Sequence, residues 1–306
     1  MYVLFALKEH IINNREITGE KGKIHLLTVL THKLIVSLFH PMTWFMGCIG
    51  LILGSFFNVC IERIPTKTFF KSQRSRCPHC DQLIPWWLNI PVMSYMFLRG
   101  RSQCCQKKIS IQYPVIEILG ALCWIFAYWY DPFISGTSPY WNLNINALIR
   151  CLHLGTFASL MLICSVIDIK HRIIPDVISL TMILLSPVWV YVHPELDWKS
   201  SLIGAALGVG VLYVIAWVYF LIKREFGMGM GDAKLLGAIG GWLGYQALFP
   251  TLFWGSILGS AYGISAMIVS GKMNFKHQIP FGPFLAIGAL LHMFLSLRLQ
   301  ELMLIR

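Results

Sequence analysis

Apolar segments long enough to cross a membrane recur along the chain and constrain its fold more than any other feature. An apolar run of about 20 residues forms a helix that spans a hydrocarbon core of about 30 Å. The composition agrees, since 56% of the 306 residues are hydrophobic and 13% are charged, whereas soluble domains have about 25% charged residues. The sequence therefore predicts an all-α, polytopic bundle of about eight transmembrane helices. The segments are 43–61, 113–130, 146–167, 177–193, 201–222, 233–249, 251–270 and 282–299.

The connecting segments differ in their content of Lys and Arg, and this difference predicts the orientation. Positively charged loops stay on the cytoplasmic side of a membrane. Segments 62–112, 168–176, 223–234 and 271–281 together hold 16 Lys and Arg residues. The short loops on the other side hold Lys199 alone. We therefore place the first group of loops in the cytoplasm, although the N-terminal residues 1–42 carry five further Lys and Arg on the opposite side.

The net charge of +11 could suggest a nucleic-acid partner. Most of these basic residues lie in loops near a membrane surface, and cytoplasmic loops of membrane proteins carry an excess of Lys and Arg. The sequence contains no nucleic-acid recognition motif. We therefore expect the lipid bilayer as a partner and no nucleic acid.

Residues 62–112 form a sizeable polar segment that contains two pairs of cysteines. A C-x-x-C turn and a second pair about 20 residues later can complete a tetrahedral zinc shell. The predicted ligands in this cytoplasmic loop between the first two helices are Cys77, Cys80, Cys104 and Cys105. Ser102 stands where a regular second C-x-x-C turn would have its first cysteine. A three-cysteine site completed by His79 or water, and thiols without a metal, are the alternatives.

Two acids stand at the polar ends of apolar segments, in a chain with 14 Asp and Glu residues in total. Asp168 follows one segment and Asp232 precedes another, and the charge pattern places both on the cytoplasmic face. Two carboxylates held close together share a proton. The ionised member can then deprotonate water while the protonated member polarises a peptide carbonyl. We therefore predict Asp168 and Asp232 as a catalytic pair.

A glycine-rich segment, Gly227-Met-Gly229-Met-Gly231, leads directly into Asp232. Glycine can adopt unusual dihedral angles and lets a substrate backbone come close. We assign Gly229, Gly231 and Lys234 to a substrate loop. Taken alone, Asp232 could instead cap a helix that starts near Ala233, and Asp168 could pair with a neighbouring Lys170 or Arg172.

Three further polar residues lie in or beside apolar segments, where they are functional suspects. Asn58 and Glu117 are either functional or hydrogen-bonded between helices. Asp176 follows a proline, and we favour a role as the cap of the next helix over a catalytic role.

The order of these motifs resembles that of a known family. The matching segments are Gly54-Ser-Phe-Phe-Asn58 through Pro65, the Cys77-x-x-Cys80 loop, Ile109 through Glu117, Asp168 with Ile174-Pro-Asp176, and Gly229-x-Gly231-Asp232-x-Lys234. In this order they resemble the type IV prepilin peptidases, which are membrane aspartic proteases. The resemblance implies a bifunctional enzyme of the bacterial inner membrane, with Asp168 and Asp232 as its aspartyl pair.

The resemblance also implies what the enzyme acts on. It would cleave the basic leader of type IV prepilins and type II secretion pseudopilins on the cytoplasmic face. It would then methylate the new terminal residue with S-adenosylmethionine. The domains would be an extension (1–42), a first helix (43–61), the Cys-rich loop (62–112) and a membrane endopeptidase domain (113–306). A zinc-dependent scaffold or transporter, and a G-x-G-D protease of other substrates, are the alternatives.

Overall fold

Helices make up nearly all the regular secondary structure of the computed structural model, which describes residues 40–69, 75–77, 79–135, 142–192, 197–224, 229–270 and 280–304. The α-helices are α1 (Pro41–Arg63), α2 (Met93–Phe97), α3 (Gln112–Tyr130), α4 (Ile145–His171), α5 (Asp176–Val192), α6 (Trp198–Lys223), α7 (Met230–Leu243), α8 (Leu248–Ser270) and α9 (Gly282–Leu304). Short 3-10 helices cover Trp86–Asn89 and Tyr245–Ala247. Strand β1 (Ile134–Ser135) pairs with strand β2 (Asn142–Leu143) in antiparallel register. The predicted extension 1–42 lies outside the described residues up to position 39.

The helices coincide with the predicted apolar segments, and the class of helical membrane protein is confirmed. Within the described ranges, α1, α3, α4, α6 and α8 with its preceding turn are long and apolar enough to cross a membrane. Helix α5 and the part of α9 up to Met293 are apolar but shorter. Helix α7 has 14 residues, which corresponds to about 21 Å, and it is not among the candidate spans. The total of about eight spans therefore stays a prediction.

One predicted boundary is wrong. The sequence placed the division between two spans near residue 250, but α7 ends at Leu243 and Gly244 breaks the chain direction. Gly244 has φ +84°, a backbone conformation that suits glycine and few other residues. Because the following 3-10 turn leads directly into α8 at Leu248, the break lies six residues earlier than 250. The sequence is apolar on both sides of Gly244, so the apolar pattern does not reveal this break.

The chain divides into two compact units. The first contains residues 1–59, 70–156 and 301–306, and the second contains residues 60–69 and 157–300. In the first unit α1 and α3 run antiparallel and touch through their backbones. A Cβ atom on Gly50 would lie 2.5 Å from the Cα of Ala121, and one on Gly54 would lie 2.6 Å from the Cα of Glu117. Small residues permit this approach between membrane helices.

Helix α7 is the buried element of the second unit, where it packs against α5 and α6. Its side chains at Leu235, Leu236 and Ile239 are fully buried. The indole Nε1 of Trp242 donates a hydrogen bond of 2.8 Å to the carbonyl of Met182 on α5. This packing fixes the position of the N-terminal end of α7, which carries Asp232.

Candidate active site and candidate metal centre

Asp168 lies near the C-terminal end of α4, where its side chain is buried. Its Oδ2 accepts a hydrogen bond of 2.9 Å from the backbone N–H of Gly282, the first residue of α9. A Cβ atom at position 282 would lie 2.7 Å from that oxygen, so this approach requires glycine. The N-terminal end of a helix also favours negative charge. The Gly282 N–H and the helix end thus favour the ionised form of Asp168, whereas burial of the side chain opposes it.

Asp232 lies in the first turn of α7 and is half-buried. Helix α7 begins at Met230 with Gly229 as its N-cap, so the alternative that Asp232 caps a helix starting near Ala233 is wrong. Burial raises the pKa of the Asp232 carboxyl to about 7, and the negative charge of Asp168 adds to this shift. The structure thus brings the two acids into one electrostatic site, and Asp232 can hold a proton near neutral pH.

Ile174 packs between the two glycines that flank these acids. A Cβ atom on Gly231 would lie 3.0 Å from the Cβ of Ile174, and one on Gly282 would lie 3.3 Å from its Cδ1. Gly231 therefore serves close packing beside the acids. The expectation of unusual dihedral angles is wrong for Gly229, which has φ −72° and ψ 135°, and the positive-φ glycines of the described chain are Gly100 and Gly244. Gly227 lies outside the described residues.

Lys234 and Asp176 form an ion pair beside the acid site. The Nζ of Lys234 lies 2.7 Å from Oδ1 of Asp176, which connects the first turns of α5 and α7. Asp176 is the first residue of α5. Within the described chain its carboxylate accepts from this lysine and from no backbone N–H of the helix. Lys170, considered as a partner for Asp168, instead pairs with Glu62 at 2.5 Å.

Gly282 belongs to the candidate site, and sequence reasoning missed it. It stands before Pro283 at the start of an apolar segment, a combination that marks the beginning of a helix. That signal predicts the helix start. It does not predict a contact with Asp168, 114 residues earlier in the chain.

The four predicted cysteines come together in the first unit, in two turns of the same geometry. In the first turn the N–H of Cys77 donates to the carbonyl of Gln82, and the N–H of Asp81 donates to the carbonyl of Cys77. In the second turn Ser102, Lys107 and Gln106 make the same two hydrogen bonds in the same order. Each turn is closed by an isolated antiparallel bridge, Arg76 with Leu83 and Arg101 with Lys108.

This equivalence explains the irregular cysteine spacing. Ser102 occupies the position of Cys77 in the second turn, and Cys105 occupies the position of Cys80. Cys104 has His79 as its counterpart, yet its sulfur reaches the cluster. His79 is not part of the group of ligand atoms in the described chain. The fourth sulfur therefore comes from Cys104 and replaces the thiol that Ser102 lacks.

The sulfur geometry fits a tetrahedral metal ion. All four sulfur atoms lie within 4.8 Å of one another. Zinc–sulfur bonds of about 2.3 Å place tetrahedral sulfurs about 3.8 Å apart. The Cys77 and Cys105 sulfurs are separated by 3.7 Å and the Cys80 and Cys104 sulfurs by 3.1 Å, so the second pair must widen slightly. The group can hold a metal.

Hydrogen bonds lower the pKa of the Cys77 thiol and so favour the thiolate form that binds a metal ion. The Ser102 hydroxyl lies 3.5 Å from the Cys77 sulfur and, with the backbone of His79, lowers the pKa of the Cys77 thiol to about 5. Cys104 raises the pKa of the neighbouring Cys80 thiol to about 12. Because metal ions bind thiolates, Cys77 is the sulfur that is ready to bind at neutral pH.

The two other predicted polar residues, Asn58 and Glu117, are both buried in the first unit. Asn58 lies on α1 and Glu117 on α3. The Nδ2 of Asn58 donates to the carbonyl of Tyr113 at 3.1 Å, and Oε2 of Glu117 accepts from the N–H of Val92 at 2.7 Å. The interhelical hydrogen bonding that the sequence left open is therefore present for Asn58.

The fold and the sites together define a helical membrane protein with two neighbouring acids in its second unit and a cysteine cluster in its first. Residues 48–130 match the bacterial peptidase A24 N-terminal domain, and residues 155–264 match the type IV leader peptidase family. The chain belongs to this family.

Relatives match over most of their length. A prepilin leader peptidase/N-methyltransferase of Pectobacterium carotovorum subsp. carotovorum is 32% identical, and the match covers 84% of this chain and 95% of the relative. The protein of the same description from Stutzerimonas stutzeri is 32% identical over 78% of this chain and 86% of its own. The one from Burkholderia pseudomallei (strain K96243) is 33% identical over 78% and 81%. No solved structure matches the chain significantly.

Proposed function

We propose that this protein is a membrane aspartic endopeptidase that cleaves the leader of type IV prepilins and N-methylates the new terminal residue. One observation supports the peptidase reading above all others. Burial raises the pKa of Asp232 to about 7, and the charge of Asp168, whose carboxylate accepts from the N–H of Gly282, adds to this shift. An enzyme that hydrolyses peptides with two carboxylates needs one of them protonated and the other ionised near neutral pH.

The surroundings of the two acids suggest how they divide the work. Asp168 is the proposed ionised member, because a backbone N–H donates to it and offsets part of the cost of its burial, and it takes a proton from the attacking water. Asp232 holds its proton and donates it toward the carbonyl oxygen of the scissile peptide. The carbon–nitrogen bond then breaks, and the leaving amine receives a proton from the pair. No serine, cysteine or metal nucleophile is required for this chemistry.

The substrate assignment follows the names of the relatives, which are prepilin leader peptidases. Type II pseudopilins are proposed as further substrates. The basic loops favour a cytoplasmic site in the bacterial inner membrane, where the leader of a newly made prepilin is located. Gly229 leaves room beside Asp232 for the backbone of the leader.

We propose zinc as the metal of the cysteine cluster, because four sulfurs in a tetrahedral arrangement are a typical structural zinc set. When bound, zinc would link the turn that begins at Cys77 to the turn that begins at Ser102. Each turn is otherwise closed by few backbone hydrogen bonds. The role is structural and lies outside the peptidase chemistry.

Methylation is proposed from the relatives' description as N-methyltransferases. S-adenosylmethionine is the proposed methyl donor. The strands of the described chain are the two-residue pair β1 and β2, so they form no glycine-rich turn from a strand into a helix of the kind that binds adenine dinucleotides.

The peptidase proposal is tested with Asp168→Asn and Asp232→Asn in the purified full-length protein. We expect leader cleavage to fall by about a hundredfold or more in each, because one variant loses the base and the other loses the acid. Asp197→Asn is the matched control, since Asp197 caps α6 and asparagine caps a helix equally well. Retained cleavage in either active-site variant would remove that acid from the mechanism.

A further inference from the structure

A cluster of polar side chains lies buried between α1 and α3, apart from the acid pair and the cysteines. Asn58 is 3% exposed and Glu117 is 8% exposed. Gly54 on α1 stands opposite Glu117, and Asn58, one turn further along α1, stands opposite Tyr113. Because helical side chains lean toward the N-terminus of their own helix, the Asn58 and Glu117 side chains of these antiparallel helices lean toward each other.

One atom of this cluster has no hydrogen-bond partner within the described chain. The Nδ2 of Asn58 donates to the carbonyls of Gly54 at 3.4 Å and Tyr113 at 3.1 Å, and these contacts fix the orientation of the amide. Its Oδ1 is then a buried acceptor without a donor. Buried polar groups are rarely left unpaired, so Oδ1 of Asn58 indicates a ligand that carries a hydrogen-bond donor.

Glu117 gives the cluster a negative charge without a cation. Its carboxylate accepts hydrogen bonds from the N–H of Val92 and from the hydroxyl of Ser55. No Lys or Arg of the described chain lies within ion-pair distance of it. A carboxylate can accept about four hydrogen bonds, so Glu117 can accept more donors and would gain from a positive one.

We propose that Glu117 and Asn58 form a recognition site for the free amino terminus of a peptide. The α-ammonium group would donate to the Glu117 carboxylate and to Oδ1 of Asn58. This proposal rests on the proposed function, because leader cleavage creates a peptide with such a terminus.

Val92 occupies the site when the peptide is absent. Val92 has φ +60° and ψ −47°, a left-handed conformation that disfavours a β-branched residue. Its N–H makes the contact of 2.7 Å with Glu117 that the ammonium group would take over. Release of this turn relieves the unfavourable backbone conformation, so the Val92 turn is the element that opens.

The direct test measures binding of a short apolar peptide with a free N-terminal Phe and a C-terminal fluorophore to the full-length protein in detergent. Its N-acetylated counterpart reports partition into the micelle. We expect the wild-type protein to bind the free-amine peptide about tenfold more tightly, because a charge-assisted hydrogen bond is lost on acetylation. Equal affinity for the two peptides overturns the proposal.

Glu117→Gln separates recognition from a structural role. Glutamine keeps an oxygen for the Val92 N–H and the Ser55 hydroxyl but removes the charge, so the preference for the free amine is expected to disappear. Glu62→Gln, which alters a carboxylate outside the cluster, is the control and retains the preference. A Glu117→Gln protein that still prefers the free amine overturns the proposal, as does displacement of the peptide by millimolar Mg²⁺.

Val92 variants give a second test that does not depend on the charge change. Val92→Gly relaxes the closed turn and is expected to weaken peptide binding about fivefold, whereas Val92→Ala keeps the unfavourable backbone and should bind as the wild type does. Equal effects of the two variants overturn the proposed opening. Binding is measured in the Asp232→Asn background, so loss of the peptide preference and loss of leader cleavage are separate results.

Discussion

At the scale of single residues, the two acids differ in their surroundings, and their proposed roles follow from this difference. Asp168 is buried and accepts from the N–H of Gly282, whereas Asp232 accepts from no such N–H within the described chain and carries a pKa of about 7. Two chemically equal side chains thus become unequal through one backbone contact. Their sequence positions predict that they meet, but not which of them keeps the proton.

The raised pKa of Asp232 predicts a pH dependence of leader cleavage. Its folded-state pKa of about 7 lies above the ordinary 3.8, so Asp232 is protonated below about pH 7 and loses its proton as the pH rises through that value. We expect kcat/KM to fall on this alkaline side because the proton donor is lost. By linkage, protonation of Asp232 stabilises the folded protein, and this contribution grows as the pH falls from about 7 toward 3.8.

The pH profile has a simple control. Enzyme held at about pH 8 and returned to about pH 6 should regain its full rate, which separates titration from denaturation. A rate that stays constant between these two values would contradict the assignment of Asp232 as the acid.

The two equivalent cysteine turns predict which variants keep zinc. Cys104→Ser should lower the bound zinc, because the second turn then supplies the sulfur of Cys105 alone. The double variant Ser102→Cys with Cys104→Ser should restore it, since a regular C-x-x-C turn results. Zinc per protein is measured by elemental analysis. Cys123→Ser, outside the cluster, is the control, and full zinc in Cys104→Ser alone would contradict the fourth ligand.

At the scale of elements, α7 depends on its contact with α6. A Cβ atom on Gly204 of α6 would lie 2.2 Å from the carbonyl oxygen of Gly240 on α7, so the two backbones touch. The hydroxyl of Ser201 also donates to the carbonyl of Gly241 at 2.5 Å. Because α7 carries Asp232 in its first turn, this contact positions a candidate catalytic group at the other end of the helix.

Two glycines of α6 provide a matched pair of variants. Gly204→Ala forces the helices apart and should lower stability by about 1–3 kcal/mol. A Cβ atom on Gly210 would meet open space. Gly210→Ala should therefore leave the free energy of unfolding unchanged or raise it by up to about 1 kcal/mol, because alanine favours a helix. Thermal unfolding in detergent measures both. Equal melting temperatures for the two variants would contradict the close packing of α6 and α7.

At the scale of the whole molecule, contacts within the second unit restrict how the chain crosses the membrane. Gly282 bonds to Asp168 and Lys234 pairs with Asp176, so the starts of α5, α7 and α9 share a side with the end of α4. An even number of crossings must then separate these points. The alternation that the loop charges predict satisfies this condition, and the charges add the cytoplasmic orientation.

Reporter fusions test this orientation. Alkaline phosphatase fused after Asp197 should be active, because the loop charges predict that the short loop before α6 lies on the periplasmic side. The same enzyme fused after Arg224 should be inactive, and green fluorescent protein fused there should fluoresce. The reverse pattern would place the acids on the periplasmic face and contradict cleavage of a cytoplasmic leader.

The sequence by itself determined the helical membrane class, the cysteine group and the two acids, because these depend on local composition and spacing. Apolar runs define helices, and a C-x-x-C turn brings its sulfurs together without help from distant residues. The Gly244 break escaped this reasoning, since the apolar pattern continues across it.

Only the tertiary structure decided which residues surround the candidate groups. Gly282 meets Asp168 across 114 residues of chain, and Val92 meets Glu117 across 25. Such contacts depend on how whole helices pack, which no local pattern records. The sequence predicted Cys104 as a ligand, but only the equivalence of the two turns shows that its sulfur replaces the thiol missing at Ser102.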